Sequence, residues 1–135
     1  MSKIRIGLFG FGKTGKVIAN EFLNDSLFTL AWVVRKGYED HQKYASRLLG
    51  HEFDAGEIFS VEDIGDNFFS ERPVDTIVDF SDATGVYLYQ RAAEAGIPVI
   101  SAISKYEQKE LDLLKTFSKS TSVLYSPNIT LGINV

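Results

Sequence analysis

Ile4-Arg-Ile-Gly7-Leu-Phe-Gly10-Phe-Gly12-Lys-Thr-Gly15 carries the chain from an apolar strand straight into G-x-G-x-x-G. The order of the parts gives the string its weight. A glycine-rich turn between a strand and a helix is the arrangement that holds a dinucleotide's phosphates on backbone amides. Gly10 takes the tight turn, Gly12 lets the backbone approach a pyrophosphate without a Cβ in the way, and Gly15 lets the next helix lie close to the sheet. Gly7 adds a permissive position inside the strand. Phe11, Lys13 and Thr14 fill out the turn, with Lys13 adding positive potential. Unpaired N–H groups in the helix's first turn then point at the phosphates, with the helix dipole behind them. The competing reading is a close-packed turn in some other α/β domain. A P-loop does not fit, because Gly15 is followed by Lys16-Val17 rather than Lys and Ser or Thr.

Outward from this turn, apolar runs and helical periodicities alternate. The spacing of Ile18 with Phe22, and of Ala19 with Leu23, predicts a helix over 13–24. Residues 27–34 form a second strand, continuously apolar through Leu30-Ala-Trp-Val-Val34, as expected of a parallel strand covered on both faces. A helix over 39–49 ending at Gly50, a weak strand over 57–60 and a short helix capped by Ser60 and Asp63 follow. Strand 74–80, helix 82–95 ended by Gly96, strand 99–101 after Pro98, helix 106–119 and strand 121–125 complete the chain. This alternation leaves one class of solution: a single-domain, Rossmann-like α/β fold, an open parallel sheet with helices on both faces.

Bulk properties narrow the function. One hundred and thirty-five residues, 44% hydrophobic and without cysteine, make one core-stabilised domain with no disulfide, thiolate metal site or cysteine nucleophile. A net charge of -4 argues against nucleic acid as the main partner. No apolar run approaches a membrane span and the start shows no hydrophobic leader, so the expected compartment is the cytoplasm. The only histidines, His41 and His51, lie in the polar middle and read as surface or supporting residues, with no metal site.

The second strand ends in Val33-Val34-Arg35-Lys36, where an NAD-specific site normally offers a carboxylate to the ribose 2′-hydroxyl. A guanidinium there suits a 2′-phosphate, so NADP(H) is preferred, with NAD(H) kept open by nearby Glu39 and Asp40. Arg35 is the main expected contact and Lys36 its support. Phe80, Ser81 and Asp82 follow the fourth strand and border the crevice, Asp82 equally serving as the next helix's N-cap. Ser101, Ala102 and Ile103, running to Ser104, and then Pro127 and Asn128, follow the last two strands. They are placed to meet the nicotinamide or a substrate carboxylate. Asp79 lies in a buried strand and should accept from backbone N–H groups. Tyr87 and Tyr89 cannot both face the core, and Phe68-Phe69 is expected at an interface.

Three stretches resemble one family. Ile6-Gly-Leu-Phe-Gly10-Phe-Gly12-Lys-Thr-Gly15-Lys is similar to the opening motif of dihydrodipicolinate reductases, Val78-Asp-Phe-Ser81 to their strand end, and Ser126-Pro-Asn-Ile-Thr-Leu-Gly-Ile-Asn-Val135 to their Ala-Pro-Asn-Phe-Ser-Ile-Gly-Val-Asn segment. The resemblance covers the chain in order, with 38–72 generic. It implies that 1–135 is a dinucleotide-binding domain ending at the junction to a substrate domain. Asn128 and Thr130 would lie near the nicotinamide and that hinge.

The implied activity is hydride transfer from NAD(P)H to a tetrahydrodipicolinate-type substrate in lysine biosynthesis. The family's His-His segment and lysine belong to the substrate domain, so no catalytic residue is assigned here and the chain alone is expected to bind cofactor without turnover. A small-molecule substrate would then need a second domain or a partner. The family oligomer is built largely through that other domain, and a homo-oligomer of this chain stays open. Ser101-Ala-Ile-Ser104 stands where the family usually has Gly-Thr-Thr-Gly, which leaves a different small imine or oxo acid as an alternative substrate. A non-catalytic, NADP(H)-sensing or interaction domain is the other alternative.

Overall fold

The computed structural model describes residues 2–127. Six strands form one parallel sheet: β1 (Ile4–Phe9), β2 (Phe28–Arg35), β3 (Glu57–Ser60), β4 (Thr76–Asp79), β5 (Val99–Ser101) and β6 (Val123–Tyr125). Their order is β3-β2-β1-β4-β5-β6. The chain thus winds outward from β1 in one direction, returns, and winds out in the other from β4. This is the doubly wound Rossmann arrangement, whose ligands lie where the strand order reverses.

Helices cover both faces because the strands carry apolar residues on both. On one face Ile6 and Leu8 of β1 and Ile18 and Ala19 of α1 (Lys13–Asn24) meet Ala45 of α2 (Ala45–Leu48). On the other, Phe9, Trp32 and Ile77 pack against Phe68 of α3 (Phe68–Glu71), Val86 of α4 (Gly85–Leu88), Ala92 and Ala93 of α5 (Gln90–Glu94), and Leu114 and Phe117 of α6 (Gln108–Phe117). Phe68 is buried and Phe69 packs against the same cluster, so the interface expected of that pair is corrected: their apolar area is used inside the fold.

The β1–β2 register slips between Ile6 and Gly7, which pair with Leu30 and Trp32 and skip Ala31. Leu30 and Trp32 are two apart, yet they serve opposite faces. A strand without a bulge would put both on one side. Gly7 gives the indole its room, since a Cβ there would lie 2.4 Å from the Trp32 ring.

Two helical expectations change. Residues 39–44 are not helical; Asp40 and Gln42 have positive φ, and only Ala45–Leu48 is helix. The backbone of this segment pairs with β3 instead, Gln42 N donating to the Ile58 carbonyl and Ile58 N to that of Lys43. The 82–95 helix is present as α4 and α5, which meet at Tyr89 (φ -106°, ψ 17°). Hydrogen bonds from Tyr89 N to the Gly85 carbonyl and from Ala93 N to the Tyr89 carbonyl carry it through the bend. The expected cap after β3 forms: the Ser60 hydroxyl accepts from Glu62 N while Asp63 accepts from Ser60 N.

Candidate functional site

Gly10 has φ +110°, a backbone conformation that favours glycine, and a Cβ there would stand 2.8 Å from the Phe80 carbonyl group. The β1–α1 and β4–α4 loops therefore touch backbone to backbone at the point where the sheet order reverses. Gly15 has a different constraint: a Cβ would lie 2.5 Å from the Gly10 carbonyl oxygen, so its absence lets α1 start directly against the turn.

Gly12 has neither constraint. It is the N-cap of α1, its φ of -79° suits any residue, and a Cβ would meet nothing within 4 Å among the described residues. Among the described residues no side chain caps α1, and its first turn carries no acidic residue. The positive end of a twelve-residue helix thus opens beside a glycine that the fold itself does not require.

A crevice of about 240 Å³ lies at this place, bounded by Gly10, Phe11 and Gly12 on one side and Arg35 and Lys36 on another. A second recess of about 330 Å³ continues past Thr14 to Ala102 and Ile103. Phe80, Ser81 and Asp82 belong to both. Together they bring most of the expected binding residues along one path over the strand ends. Gly7, Lys13, Gly15, Ser101 and Pro127 border neither recess. Gly7 lies beneath Trp32, Lys13 is exposed on α1, Gly15 packs on Gly10, and Pro127 is exposed after β6. Asn128 and Thr130 lie outside the described residues.

Charges around the first crevice are partly matched. Arg35 pairs with Glu39 at 3.3 Å and Asp40 at 3.7 Å, and its Nε is buried without a hydrogen-bond partner among the described residues. Lys36 pairs with Asp82, reaching from the end of β2 to the loop after β4. Desolvation opposes the ionised form of Asp82, but hydrogen bonds from Lys36 and Thr84 hold its carboxyl below the usual carboxylate range. Asp82 is not the helix N-cap itself. It accepts from Thr84 N at 2.9 Å and from the Thr84 hydroxyl, one turn ahead of α4.

Asp79 is fully buried at the end of β4. It accepts from Ser81 N at 2.9 Å, a backbone donor as the sequence led us to expect, and also from the Ser81 hydroxyl at 2.6 Å and the Tyr89 hydroxyl at 2.8 Å. The tyrosine partner was not anticipated; the available signal was a tyrosine ten residues on, along the helix that returns over β4. Burial pushes the Asp79 carboxyl up and the Tyr89 phenol well above its ordinary value. Tyr87, the other member of the pair, is exposed and donates to Glu110.

Ser101 is buried and shares a hydrogen bond with the Tyr106 hydroxyl at 2.7 Å, so its side chain is turned inward from the recess it precedes. The N–H of Ala102 donates to the Asp79 carbonyl and that of Ile103 to the Ser101 hydroxyl. His41 pairs with Asp63 and His51 with Asn20, both away from the crevice. Among the described residues no cluster of potential metal ligands occurs, and no helix is long and apolar enough to cross a membrane.

Comparison with known proteins agrees with this architecture. The Rex-family repressor RSP superposes with a TM-score of 0.65 at 15% identity, over 91% of this chain and 52% of that one. Scyllo-inositol dehydrogenase from Lactobacillus casei, solved with NAD(H) and scyllo-inositol, gives 0.58 at 16% identity, over 90% and 36%. Such identities speak for the fold alone. In sequence, 4-hydroxy-tetrahydrodipicolinate reductase of Bdellovibrio bacteriovorus is 29% identical over 137 aligned positions, covering all of this chain and 48% of that protein. The chain thus spans about half the length of this curated relative. The family model described as dihydrodipicolinate reductase, N-terminus, matches residues 4–129. The chain belongs to the dihydrodipicolinate reductase family and corresponds to its N-terminal part.

Proposed function

We propose that the crevice binds a nicotinamide dinucleotide, NADP(H) in preference to NAD(H), and that the chain is the cofactor-binding part of a reductase of the tetrahydrodipicolinate type. The observation that carries this is Gly12. Neither backbone conformation nor packing demands a glycine there, and the space its missing Cβ leaves lies in front of the uncapped end of α1. A diphosphate bridge seated there would receive the N–H groups of the first turn. Arg35 and Lys36 line the crevice at the end of β2, where the adenosine ribose would reach, which favours a 2′-phosphate.

The cofactor, when bound, supplies the hydride to a conjugated imine. This chain's residues bind and orient: α1 holds the diphosphate, and the Phe80–Asp82 loop separates the adenosine end from the nicotinamide end. The recess at Ala102 and Ile103 receives the nicotinamide. The groups that hold the substrate's carboxylates and donate the proton would come from further chain or a partner, so the 135-residue chain binds cofactor without sustained turnover. Its setting would be the cytoplasm and lysine biosynthesis.

Gly12→Ala tests the reading. The substitution should cost no more than about 1 kcal/mol, the loss of a glycine N-cap, since among the described residues nothing in the fold meets the new methyl. NADPH affinity, measured by calorimetric titration, should fall at least tenfold. Unchanged affinity would reject the diphosphate site.

A further inference from the structure

Three carboxylates reach the cationic corner of the crevice, and only two come from the segment that follows β2. Glu39 and Asp40 hold Arg35 from its own loop. Asp82 holds Lys36 from the other side of the switch point, 46 residues further along the chain, so this bridge spans the crevice mouth. A dinucleotide whose ribose lies at the end of β2 meets Lys36 only in competition with that carboxylate.

We propose, resting on the nucleotide reading above, that Asp82 sets the discrimination between 2′-phosphorylated and unphosphorylated dinucleotides. In the free protein Lys36 is neutralised by Asp82. A 2′-phosphate must draw the ammonium away and tolerate a carboxylate beside it, whereas a 2′-hydroxyl needs no cation and can donate to a carboxylate. Asp82 therefore takes the part that an acidic residue at the end of β2 plays in NAD-specific sites, from a different loop. The chain's preference for NADP(H) is narrower than Arg35-Lys36 alone would give.

Asp82→Asn isolates the charge, because the amide oxygen can still accept from Thr84 N and Thr84 Oγ1. NADPH, NADH and 2′,5′-ADP are titrated calorimetrically into the full 135-residue chain and the variant. The ratio of NADPH to NADH affinity should rise in the variant, by up to about fivefold, the scale of one exposed ion pair at moderate salt. 2′,5′-ADP should follow NADPH, and the gain should shrink as salt is added. In a Lys36→Met background the same Asp82→Asn change should give a smaller gain, because only the direct effect of the carboxylate on the 2′ group then remains. An unchanged ratio, or an equal gain for NADH, overturns the role of Asp82 while leaving nucleotide binding intact. Failure of the unsubstituted chain to bind either dinucleotide instead rejects the reading on which the proposal rests.

Discussion

Asp79 shows how a single buried carboxyl shapes the lip of the crevice. Its two oxygens gather Ser81 N, Ser81 Oγ and the Tyr89 hydroxyl, so one residue ties the β4–α4 loop to the bend between α4 and α5. Gly85 completes the packing, because a Cβ there would lie 2.7 Å from Asp79 Oδ2. Burial raises the Asp79 carboxyl above its unfolded value, with the hydrogen bonds opposing that rise. The sign follows from linkage. A carboxyl that titrates higher in the folded state contributes stability that is complete below the unfolded pKa, about 3.9, and is lost as pH rises through the raised folded value. An Asp79→Asn variant keeps an acceptor for Ser81 and offers an amide to the Tyr89 oxygen, but has no such titration. Stability of the parent relative to the variant, followed by urea unfolding across pH, should be greatest at the acid end and decline toward neutrality. A difference that stays constant with pH would mean that Asp79 does not titrate in this window.

At the scale of elements, the β1 turn and the start of α1 divide their work among glycines that look alike in sequence. Gly10 takes a left-handed backbone, Gly15 admits a carbonyl, and Gly12 leaves space open. Gly15→Ala should therefore behave unlike Gly12→Ala. Its methyl meets the Gly10 carbonyl oxygen, which is backbone and cannot swing aside, so α1 must shift; a loss of about 1–3 kcal/mol in urea unfolding is expected. If Gly15→Ala were as stable as the parent, the close docking of α1 would be wrong. These roles were legible from the G-x-G-x-x-G string because spacing alone fixes which glycine is at the turn, the cap and the helix. Gly7 was not legible. Its neighbour Trp32 reaches it only because β2 bulges at Ala31, a register slip that no local pattern announces. The first half of the 39–49 helix failed for a related reason: 42–44 pairs with β3, so long-range hydrogen bonds overrode a weak local periodicity there. Strand ends were located well, since continuous apolar runs mark them, whereas the cations at one strand end gave no hint of the distant Asp82 that meets Lys36.

For the whole molecule, the arrangement of the sheet makes ligand binding and global stability one measurement. The crevice is built from the ends of β1, β2 and β4 together, the three adjacent strands at the centre of the sheet. A dinucleotide seated there contacts elements that separate on unfolding, so it binds the native state and not the unfolded chain. At a free concentration one hundred times its Kd, such a ligand adds about 2.7 kcal/mol. For a domain of this size, 1 kcal/mol corresponds to roughly 3–5 °C, so saturating NADPH should raise Tm by on the order of 10 °C. At equal concentration NADH should raise it less, the difference giving the affinity ratio without a separate assay. Gly12→Ala should melt within a few degrees of the parent without ligand, the cost of a poorer N-cap, and gain little from NADPH. That pair of observations separates loss of the phosphate seat from loss of the fold. A parent Tm unmoved by millimolar NADPH would instead mean that the strand ends do not form a nucleotide site, whatever the sheet order suggests.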